Sequence, residues 1–386
     1  MRSLHHKFVW KGIDMKTIAV IESCDTKAEE AGYIKELIEQ EGLSAVVIDV
    51  STGCSRRRNY DIARETVCTD WISLTDKTKA EKVTAMKTAI RKYLKKLYDE
   101  HKISGVISVG GLQNTIMATE AMAALPIGFP KVMATTVACG QRKFEPFVQD
   151  KDIVIIPSIA DFTGLNTVTR QIIKNAVACC VGMVKSAGHT LEKNDKKMIG
   201  VTLMGVTNIG ACAAIQELEK MGYECIGFHA TGVGGPTMEK LAAQGLLDGL
   251  LDMNVHEITQ EYYGGGFSYG KEIALRLRMS VSFKIPLVIC PGGLDFVDFA
   301  PREFYADLKG RKYEMHNDEI AHIKLTKGEA LKATEGFRKR LSAIDYPVRV
   351  LLPTDGMRSG TKKGEPLYDR EVDQLLLDSI KNIPNA

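Results

Sequence analysis

The stretch that decides the fold runs from Lys16 to Val50 and reads "KTIAVIESCDTKAEEAGYIKELIEQEGLSAVVIDV". Its two apolar runs, "KTIAVIES" and "SAVVIDV", have the length and β-branched content of buried strands. Between them, "AEEAGYIKELIEQEG" has the apolar spacing of an amphipathic helix that ends at Gly42. A strand, a helix and a second apolar strand form the repeating unit of a parallel sheet that is covered on both faces.

The same alternation continues along the chain through "ISGVISVGG", "KVMATTV" and "DIVIIPS". A polar, charged segment over 186–197 then lacks apolar periodicity, which is typical of an interdomain linker. After it the alternation resumes with "MIGVTLMG", "ECIGFH", "GLLDGLLDM", "PLVICPGG" and "VRVLLPTDG". The fold class is therefore predicted to be α/β, with two doubly wound parallel-sheet domains over residues 15–190 and 195–386 and a cleft between them.

Composition limits the class of protein. The chain has 386 residues, of which 45% are hydrophobic and 26% charged, as in an ordinary globular protein with a sizeable core. The formal net charge of +3 is small for this length, so we expect no nucleic-acid partner. Because no apolar run approaches the roughly 20 residues of a bilayer span, we expect no membrane partner either.

The nine cysteines are scattered and contain no Cys-x-x-Cys pair. This pattern argues against a disulfide scaffold and a zinc site, and it favours a reducing cytoplasm. Met15 stands directly before the first predicted strand, so residues 1–14 are interpreted as a disordered extension without a signal sequence.

Glycine-rich turns follow several of the predicted strands. They read "VGGLQNT", "FHATGVGG", "CPGGLDFVDF" and "PTDGMRSG". In open α/β sheets the ligand crevice lies outside the carboxyl ends of the strands, where the strand order changes direction. Their occurrence at that edge in both domains favours a small-molecule site over a set of bare turns.

Two turns of the first domain suit a phosphate group. After the first strand, Asp25 or Thr26 is placed to cap the next helix, and Lys27 adds a positive charge. An ordinary N-cap beside an exposed lysine is the alternative. After the third strand, Gly110 and Gly111 allow close backbone approach at a helix start. Neither the P-loop nor Gly-x-Gly-x-x-Gly is present, which disfavours a kinase or an NAD enzyme.

In the second domain, "GFHATGVGGPTMEKL" ends an apolar strand at His229 and starts a helix near Pro236. Its glycines are expected to leave backbone N–H groups uncovered, as a cradle for an anion; a tight turn without a ligand is the alternative. His229 is a candidate general acid or base. The predicted substrate-binding residues are Thr231, Gly232, Gly234, Gly235, Gly292, Gly293 and His316.

Asp295 and Asp298 are three residues apart, so they share a face if their segment is helical. They are candidates to bind a divalent cation, to cap a helix or to exchange protons, and Asp295 is taken as the second catalytic candidate. His316 and His322 follow in "YEMHNDEIAHIKLT", whose spacing does not match the His-Glu-x-x-His of zinc proteases. A Mg²⁺ ion carried by a nucleotide needs only one or two carboxylates.

With these stretches side by side, the chain resembles the family built on the ATP-binding N-terminal domain of the tomato mosaic virus resistance protein. The resemblance runs from Met15 almost to the C-terminus and is strongest in "DTKAEE", "DFTGLNTVTRQIIKNA", "FHATGVGG" and "CPGGLDFVDF". It implies two Rossmann-like domains, a homodimer or higher oligomer, and an ATP site in the first domain with Mg²⁺ on the nucleotide. The residues it implies for that site are Asp25, Thr26, Lys27, Asp49, Thr52, Gly110, Gly111 and Thr115.

The chain departs from the family at one loop. Relatives typically show Gly-Gly-Ser-Gly-Gly-Thr, whereas this sequence reads "GGLQNT". Leu112, Gln113 and Asn114 thus replace small residues where a triphosphate needs close backbone contact. We predict that ATP binding is weakened there, or replaced by binding of a smaller ligand.

The leading hypothesis is a cytoplasmic nucleotide-binding protein that acts on a small anionic metabolite at the interdomain cleft. One alternative is a non-catalytic ligand-binding or assembly protein that partners a separate TIM-barrel enzyme, because in plants the related domain is fused to a TIM barrel. The other is an enzyme on a sugar or keto acid that has lost ATP binding.

Overall fold

The structure is a computed structural model in which the chain divides into two compact units, residues 1–193 and 194–386. The predicted extension over 1–14 and the middle of the predicted linker lie outside the described residues. The residues that the structure describes are 16–53, 59–140, 145–148, 151–186, 195–263, 276–278, 280, 283–299, 310–318 and 320–381.

The first unit is built on a five-stranded parallel sheet. Its strands are β1 (Thr17–Glu22), β2 (Ser44–Asp49), β3 (Gly105–Gly110), β4 (Lys131–Thr135) and β5 (Val154–Pro157). They are arranged in the order β2-β1-β3-β4-β5. The strand order therefore changes direction between β1 and β3, a position that we call the switch point of the first sheet.

Helices cover both faces of this sheet. They are α1 (Ala28–Gln40), α2 (Arg64–Val67), α3 (Lys79–Asp99), α4 (Leu112–Met122), α5 (Glu145–Val148) and α6 (Thr167–Lys185). Alternate residues of β1 point to opposite faces, so Ile18 lies in a core with α1 and α6, whereas Ile21 lies in a core with α3 and α4. Two-sided burial explains why the strands read as continuous apolar runs.

The second unit has a parallel sheet of its own, in the order β13-β9-β8-β6-β7. Its strands and those of a smaller sheet are β6 (Met198–Leu203), β7 (Glu224–His229), β8 (Gly249–Asp252), β9 (Leu287–Ile289), β10 (Phe296–Phe299), β11 (Tyr313–Met315), β12 (Ala321–Lys324) and β13 (Val348–Val350). The strand order changes direction between β6 and β8, which form the second switch point. The prediction of an α/β fold with two doubly wound, Rossmann-like units is confirmed.

The helices of the second unit are α7 (Asn208–Lys220), α8 (Gly234–Ala243), α9 (His256–Tyr263), α10 (Lys327–Ser342) and α11 (Arg370–Ile380). Apolar side chains of α8, α9, α10 and α11 form one core with those of the sheet strands. In the part of the chain that the structure describes, no helix combines the length and apolar character needed to cross a lipid bilayer.

The smaller sheet of the second unit is antiparallel, has the order β10-β12-β11 and was not predicted. Asp298 lies on β10 directly opposite His322 of β12. Asp295 and Asp298 were expected to share a face if their segment is helical. The segment forms a strand from Phe296 onwards instead, so that expectation is wrong. The three strands have only three or four residues each, too few for their alternation to be recognised in the sequence.

Candidate functional site

A cavity of about 510 Å³ lies at the carboxyl edge of the first sheet. Its size falls within the range of small-molecule sites, roughly 300–1,000 Å³. Residues that follow β1, β2 and β3 line it together with the start of α3, which places it at the first switch point. The lining residues are Ser23, Asp25, Thr26, Lys27, Thr52, Gly53, Lys79, Lys82, Gly111, Leu112, Gln113, Asn114 and Asp161.

The cavity exists because β1 and β3 separate at their carboxyl ends. The two strands are paired only as far as Val20 and Ile107, whereas β1 stays paired with β2 to its last residue. Beyond that point the Glu22 side chain lies between the strands and accepts a hydrogen bond from the Val109 N–H at 2.6 Å. Side-chain bonds thus replace ladder bonds, and the two strand ends diverge.

Glu22 is completely buried beneath the cavity. Its other carboxyl oxygen accepts a hydrogen bond from Asn114 Nδ2 at 3.0 Å. Burial raises the pKa of Glu22 well above its ordinary value, although the hydrogen bond from Val109 acts in the opposite direction. Burial therefore favours the neutral form of this carboxyl group more than it does in an exposed glutamate.

Three lysines give the cavity its positive charge. Lys27 Nζ donates to the Phe162 carbonyl, and Lys82 Nζ donates to the Thr75 carbonyl at 2.7 Å. Lys79 is exposed at the start of α3. A carbonyl oxygen leaves the ammonium charge in place and occupies only one of three N–H groups. Within the described residues no carboxylate forms an ion pair with any of these lysines, so their charge is available to an anion.

The loops after β1 and β2 are held together by a carboxylate and a hydroxyl. Asp25 Oδ2 accepts from the Gly53 N–H at 2.9 Å, and the Asp25 N–H donates to Ser51 Oγ at 2.8 Å. The Asp49 carboxylate accepts from the N–H groups of Ser51 and Cys24 at 2.9 and 3.2 Å. These bonds fix the shape of the cavity wall before any ligand arrives.

Helix α4 starts at the edge of the cavity with Gly111 as its N-cap, and no described side chain caps it. Gln113, in its first turn, donates through Nε2 to Thr52 Oγ1 at 2.8 Å. This bond crosses from the loop after β3 to the loop after β2. Leu112 is 56% exposed beside it. The side chains of Leu112 and Gln113 therefore fill space next to the N-terminus of α4, and Gln113 uses a hydrogen-bond donor there.

The structure separates the predicted nucleotide-binding residues into two groups. Those that line the cavity are Asp25, Thr26, Lys27, Thr52 and Gly111. Asp49, Gly110 and Thr115 do not line it, because each is engaged within the protein. Thr115, for example, is buried and its hydroxyl contacts Thr135 Oγ1 at 2.7 Å. The expected cap of α1 by Asp25 or Thr26 is also wrong: Lys27 is the N-cap residue, without a side-chain cap bond.

In the second unit the glycine turn after β7 is occupied by a side chain of the protein. The N–H groups of Gly232 and Gly235 both donate to Glu257 Oε1, at 3.2 and 3.0 Å. The expectation that these donors stay uncovered is therefore wrong. A Cβ atom on Gly234 would lie 2.0 Å from the His229 carbonyl oxygen, so this glycine permits close approach of backbone to backbone.

Arg276 completes this arrangement at the second switch point, and its side chain is fully buried. Its guanidinium donates to Glu257 Oε2 at 2.7 Å and to Glu239 Oε1 at 2.7 Å. It also donates to both oxygens of Asp252, the last residue of β8, at 2.6 and 2.7 Å. The second switch point thus holds an internal cation and three carboxylates, which we call the Arg276 cluster.

The remaining second-domain candidates have different surroundings. His229 is exposed, and no described side chain orients its imidazole, so its acid–base role stays a prediction. Thr231 is half-buried and its N–H donates to the His229 carbonyl at 2.9 Å. Gly292 and Gly293 pack against Met253 and Asn254 rather than lining an open turn. The substrate-binding role predicted for these two glycines stays a prediction.

Asp295 is fully buried and accepts a hydrogen bond from Lys324 Nζ at 2.8 Å. Burial alone would raise the pKa of Asp295, but the charges of Lys324 and Arg358 outweigh it and hold the pKa below its ordinary value. A carboxylate that stays ionised beside two cations is poorly suited to donate a proton. Asp298 lies instead between two histidines, with Oδ2 at 3.1 Å from His256 Nε2.

Sequence reasoning missed Glu22, Glu257, Arg276 and Arg358. Glu22 is the last residue of an apolar strand in "AVIES" and Arg276 lies in "LRLRM", so neither stands out as part of a motif. Each acquires its role from partners distant in the chain; Glu22 and Val109, for example, are 87 positions apart. One available signal was that a charged residue ends an otherwise apolar strand at a predicted switch point.

The architecture and the cavity define the class of protein: a two-unit α/β protein with Rossmann-like sheets and a positively charged cavity at the first switch point. Family models for the N- and C-terminal domains of the uncharacterised protein family UPF0261 match residues 16–189 and 196–385. The chain belongs to this family.

Relatives are found in bacteria and plants. The chain is 36% identical over 376 residues to a UPF0261 protein of Clostridium tetani, a match that covers 96% of this chain and 92% of the relative. It is 31% identical over 387 residues to the ToMV resistance protein Tm-1(GCR237) of Solanum lycopersicum, covering 94% of this chain and 50% of that protein. The chain therefore corresponds to half the length of the tomato protein.

Among solved structures, the chain is similar to MurG of Acinetobacter baumannii over 96% of each chain, with 11% identity and a TM-score of 0.22. A likeness at this level carries no functional comparison.

Proposed function

We propose that the first unit binds a nucleotide, or another small molecule that carries phosphate groups, in the cavity at its switch point. The observation that carries this proposal is the convergence of Lys27, Lys79 and Lys82 on one cavity, where no carboxylate of the described residues pairs with them. Ammonium groups are effective point charges for phosphate oxygens. The N-terminus of α4 supports the same sign of ligand charge.

The residues present fit ATP with Mg²⁺. The lysines would hold phosphate oxygens, and the carboxylates of Asp25 and Asp161, which line the same cavity, would face a cation on the nucleotide. Bound Mg²⁺ would supply charge neutralisation at the phosphate oxygens. The chain's own contribution is a wall fixed by the Asp25–Gly53 and Gln113–Thr52 hydrogen bonds.

Melting temperature measured with ATP and Mg²⁺, AMP, inorganic phosphate or buffer tests the proposal. A ligand at about 100 times its Kd stabilises the native state by about 2.7 kcal/mol. We expect ATP with Mg²⁺ to raise the melting temperature, and Lys82→Met to weaken binding about tenfold through loss of a charged hydrogen bond. Lys92→Met, at an exposed position on the same helix, is the matched control.

Two results would reject the proposal. One is a wild-type protein whose melting temperature responds to none of the phosphate-bearing ligands. The other is a response that is equal in Lys82→Met and Lys92→Met, because binding would then not involve this cavity.

A second candidate is a ligand with one phosphate group in place of three. It is favoured by Gln113, which crosses the cavity edge to Thr52, and by Asn114, which lies buried against Glu22. On this reading, AMP or a sugar phosphate binds more tightly than ATP. Replacement Gln113→Gly should then raise the affinity for ATP about fivefold, roughly 1 kcal/mol, and leave that for AMP unchanged, as measured by calorimetry. An unchanged affinity for ATP would show that Gln113 does not restrict the cavity.

A further inference from the structure

The antiparallel sheet of the second unit carries a polar cluster on one face. Asp298 and Glu314 lie on β10 and β11, each directly opposite His322 on the central strand β12. Directly opposed residues of antiparallel strands project to the same side. Arg358 joins them from the segment after β13, and its Nη1 lies 3.4 Å from His322 Nδ1. We call Asp298, His322 and Arg358 the His322 cluster.

The guanidinium of Arg358 is buried and held flat. The side chain is 1% exposed, and its Cζ lies 4.1 Å from the centroid of the Phe296 ring. The Phe296 ring is itself stacked on the His256 ring, with centroids 4.0 Å apart. A planar cation over an aromatic ring keeps its charge and directs its N–H groups sideways.

Two hydrogen-bond donors of Arg358 are unused among the described residues. Among the described residues, its Nε and Nη2 atoms have no hydrogen-bond partner although both are buried. The nearest carboxylate oxygen to Nε, Asp295 Oδ2, is 3.7 Å away and already accepts from Lys324 Nζ at 2.8 Å. A buried donor without an acceptor costs about 1–3 kcal/mol, and more when charged.

The two unpartnered nitrogens have a specific geometry. Nε and Nη2 lie on one edge of the planar guanidinium, and their N–H bonds run parallel. This edge matches two oxygens of one carboxylate or phosphate group. The two unmet donors are therefore suited to an oxyanion with two forked oxygens.

The neighbouring histidine is neutral and has a defined tautomer. Arg358 can only donate, so His322 Nδ1 accepts and the hydrogen is on Nε2, which lies 3.5 Å from Asp298 Oδ1. Burial lowers the pKa of His322 to about 4. Towards solvent, the exposed His316 ring is stacked on His322 with centroids 4.9 Å apart.

We propose that Arg358 binds the carboxylate or phosphate group of a small anionic molecule through Nε and Nη2, with His322 beside it and His316 on the solvent side. The site is built entirely within the second unit and is separate from the lysine-lined cavity. It goes beyond nucleotide binding, because it gives the second unit a ligand of its own.

Calorimetry and melting temperatures with malonate or inorganic phosphate test this proposal, with sodium chloride at equal ionic strength as reference. We expect saturable binding of at least one of these two anions by the wild type. Arg358→Lys should weaken it at least tenfold, because a lysine cannot form the two-bond edge. Arg349→Lys, at an exposed position on β13, should leave binding unchanged. A response to malonate alone identifies carboxylates as the ligand class, and a response to phosphate alone identifies phosphates.

The lysine-lined cavity could also bind these anions, so the two sites must be told apart. The ATP response of Arg358→Lys should equal that of the wild type, whatever that response is. His316→Ala changes an exposed residue, so it should fold normally and weaken anion binding about threefold or more. Anion binding unchanged in both Arg358→Lys and His316→Ala, or absent from the wild type, would overturn the proposal.

Discussion

The two switch points of the molecule contrast with each other. At the first, β1 and β3 diverge around a cavity whose lysines form no ion pair with a carboxylate in the part of the chain that the structure describes. At the second, beside β6 and β8, Arg276 and three carboxylates form a buried internal salt-bridge cluster. The same topological position is thus an open cavity in one unit and is filled by the protein in the other.

The difference teaches how to interpret a glycine-rich turn. The turn after β7 presents backbone N–H groups as an anion site does, and the anion is Glu257 of the same chain. Uncovered donors in a sequence pattern indicate that an oxyanion is needed. They do not indicate whether it comes from a ligand or from a side chain.

The largest expected effect comes from removing the central cation of the second switch point. Arg276→Met leaves the carboxylates of Glu239, Asp252 and Glu257 buried together without a counter-charge. We expect the free energy of unfolding to fall by about 3–5 kcal/mol. Denaturant unfolding measures it, with Arg278→Met as the control because that side chain is 56% exposed. A similar loss in both variants would show that the buried charge of Arg276 does not account for the loss of stability.

A smaller effect is expected from the glycine that brings the two backbone segments together. Gly234→Ala places a Cβ atom 2.0 Å from the His229 carbonyl oxygen, and we expect a loss of about 1–3 kcal/mol from overpacking. Gly205→Ala is the matched control in the same unit, because its Cβ meets nothing within 4 Å. At the first switch point Gly111→Ser should be tolerated, since its nearest new contact is 3.7 Å away. Equal thermal stability of Gly234→Ala and Gly205→Ala would contradict this account.

The smallest effect is a pH dependence at the first switch point. The folded-state pKa of Glu22 is raised above its ordinary value of 4.5, chiefly by burial. Its contribution to stability is therefore fully present below pH 4.5 and is lost as pH rises towards the folded-state value. The neutral amide of Glu22→Gln cannot ionise. The free energy of unfolding of the variant should therefore rise by about 1 kcal/mol relative to that of the wild type between pH 4.5 and 5.5.

Urea unfolding across this pH range measures the difference between Glu22→Gln and the wild type. Glu36→Gln, at an exposed position on α1, is the control. Parallel pH curves for the wild type and Glu22→Gln would mean that the carboxyl group is already ionised in the folded protein.

Much of the parallel architecture could be predicted because it depends on local patterns. Apolar runs such as "TIAVIE" form strands buried along their whole length, and the turns after them lie at the expected edge of each sheet. Among the candidate site residues, Lys27 and Thr52 line the cavity, and their role in binding stays a prediction. The strand positions follow from the apolar periodicity, and the shared edge of the turns follows from the parallel arrangement of the strands.

The partners within the sites could not be predicted because they are distant in the chain. Glu257 reaches the glycine turn from 22 and 25 residues away, and a single glutamate in a helix gives no sign of it. Arg358 gains its environment from the short strands β10 and β12, whose pairing depends on register. Charge and burial at these positions are properties of the folded chain.

The Arg276 cluster also has a consequence for synthesis of the protein. The ribosome adds Glu239, Asp252 and Glu257 before Arg276, which follows them by 37, 24 and 19 residues. Until Arg276 emerges, the nascent segment carries three acidic groups that have no cation to allow their burial. The second unit should therefore become resistant to protease later in translation than its length alone implies.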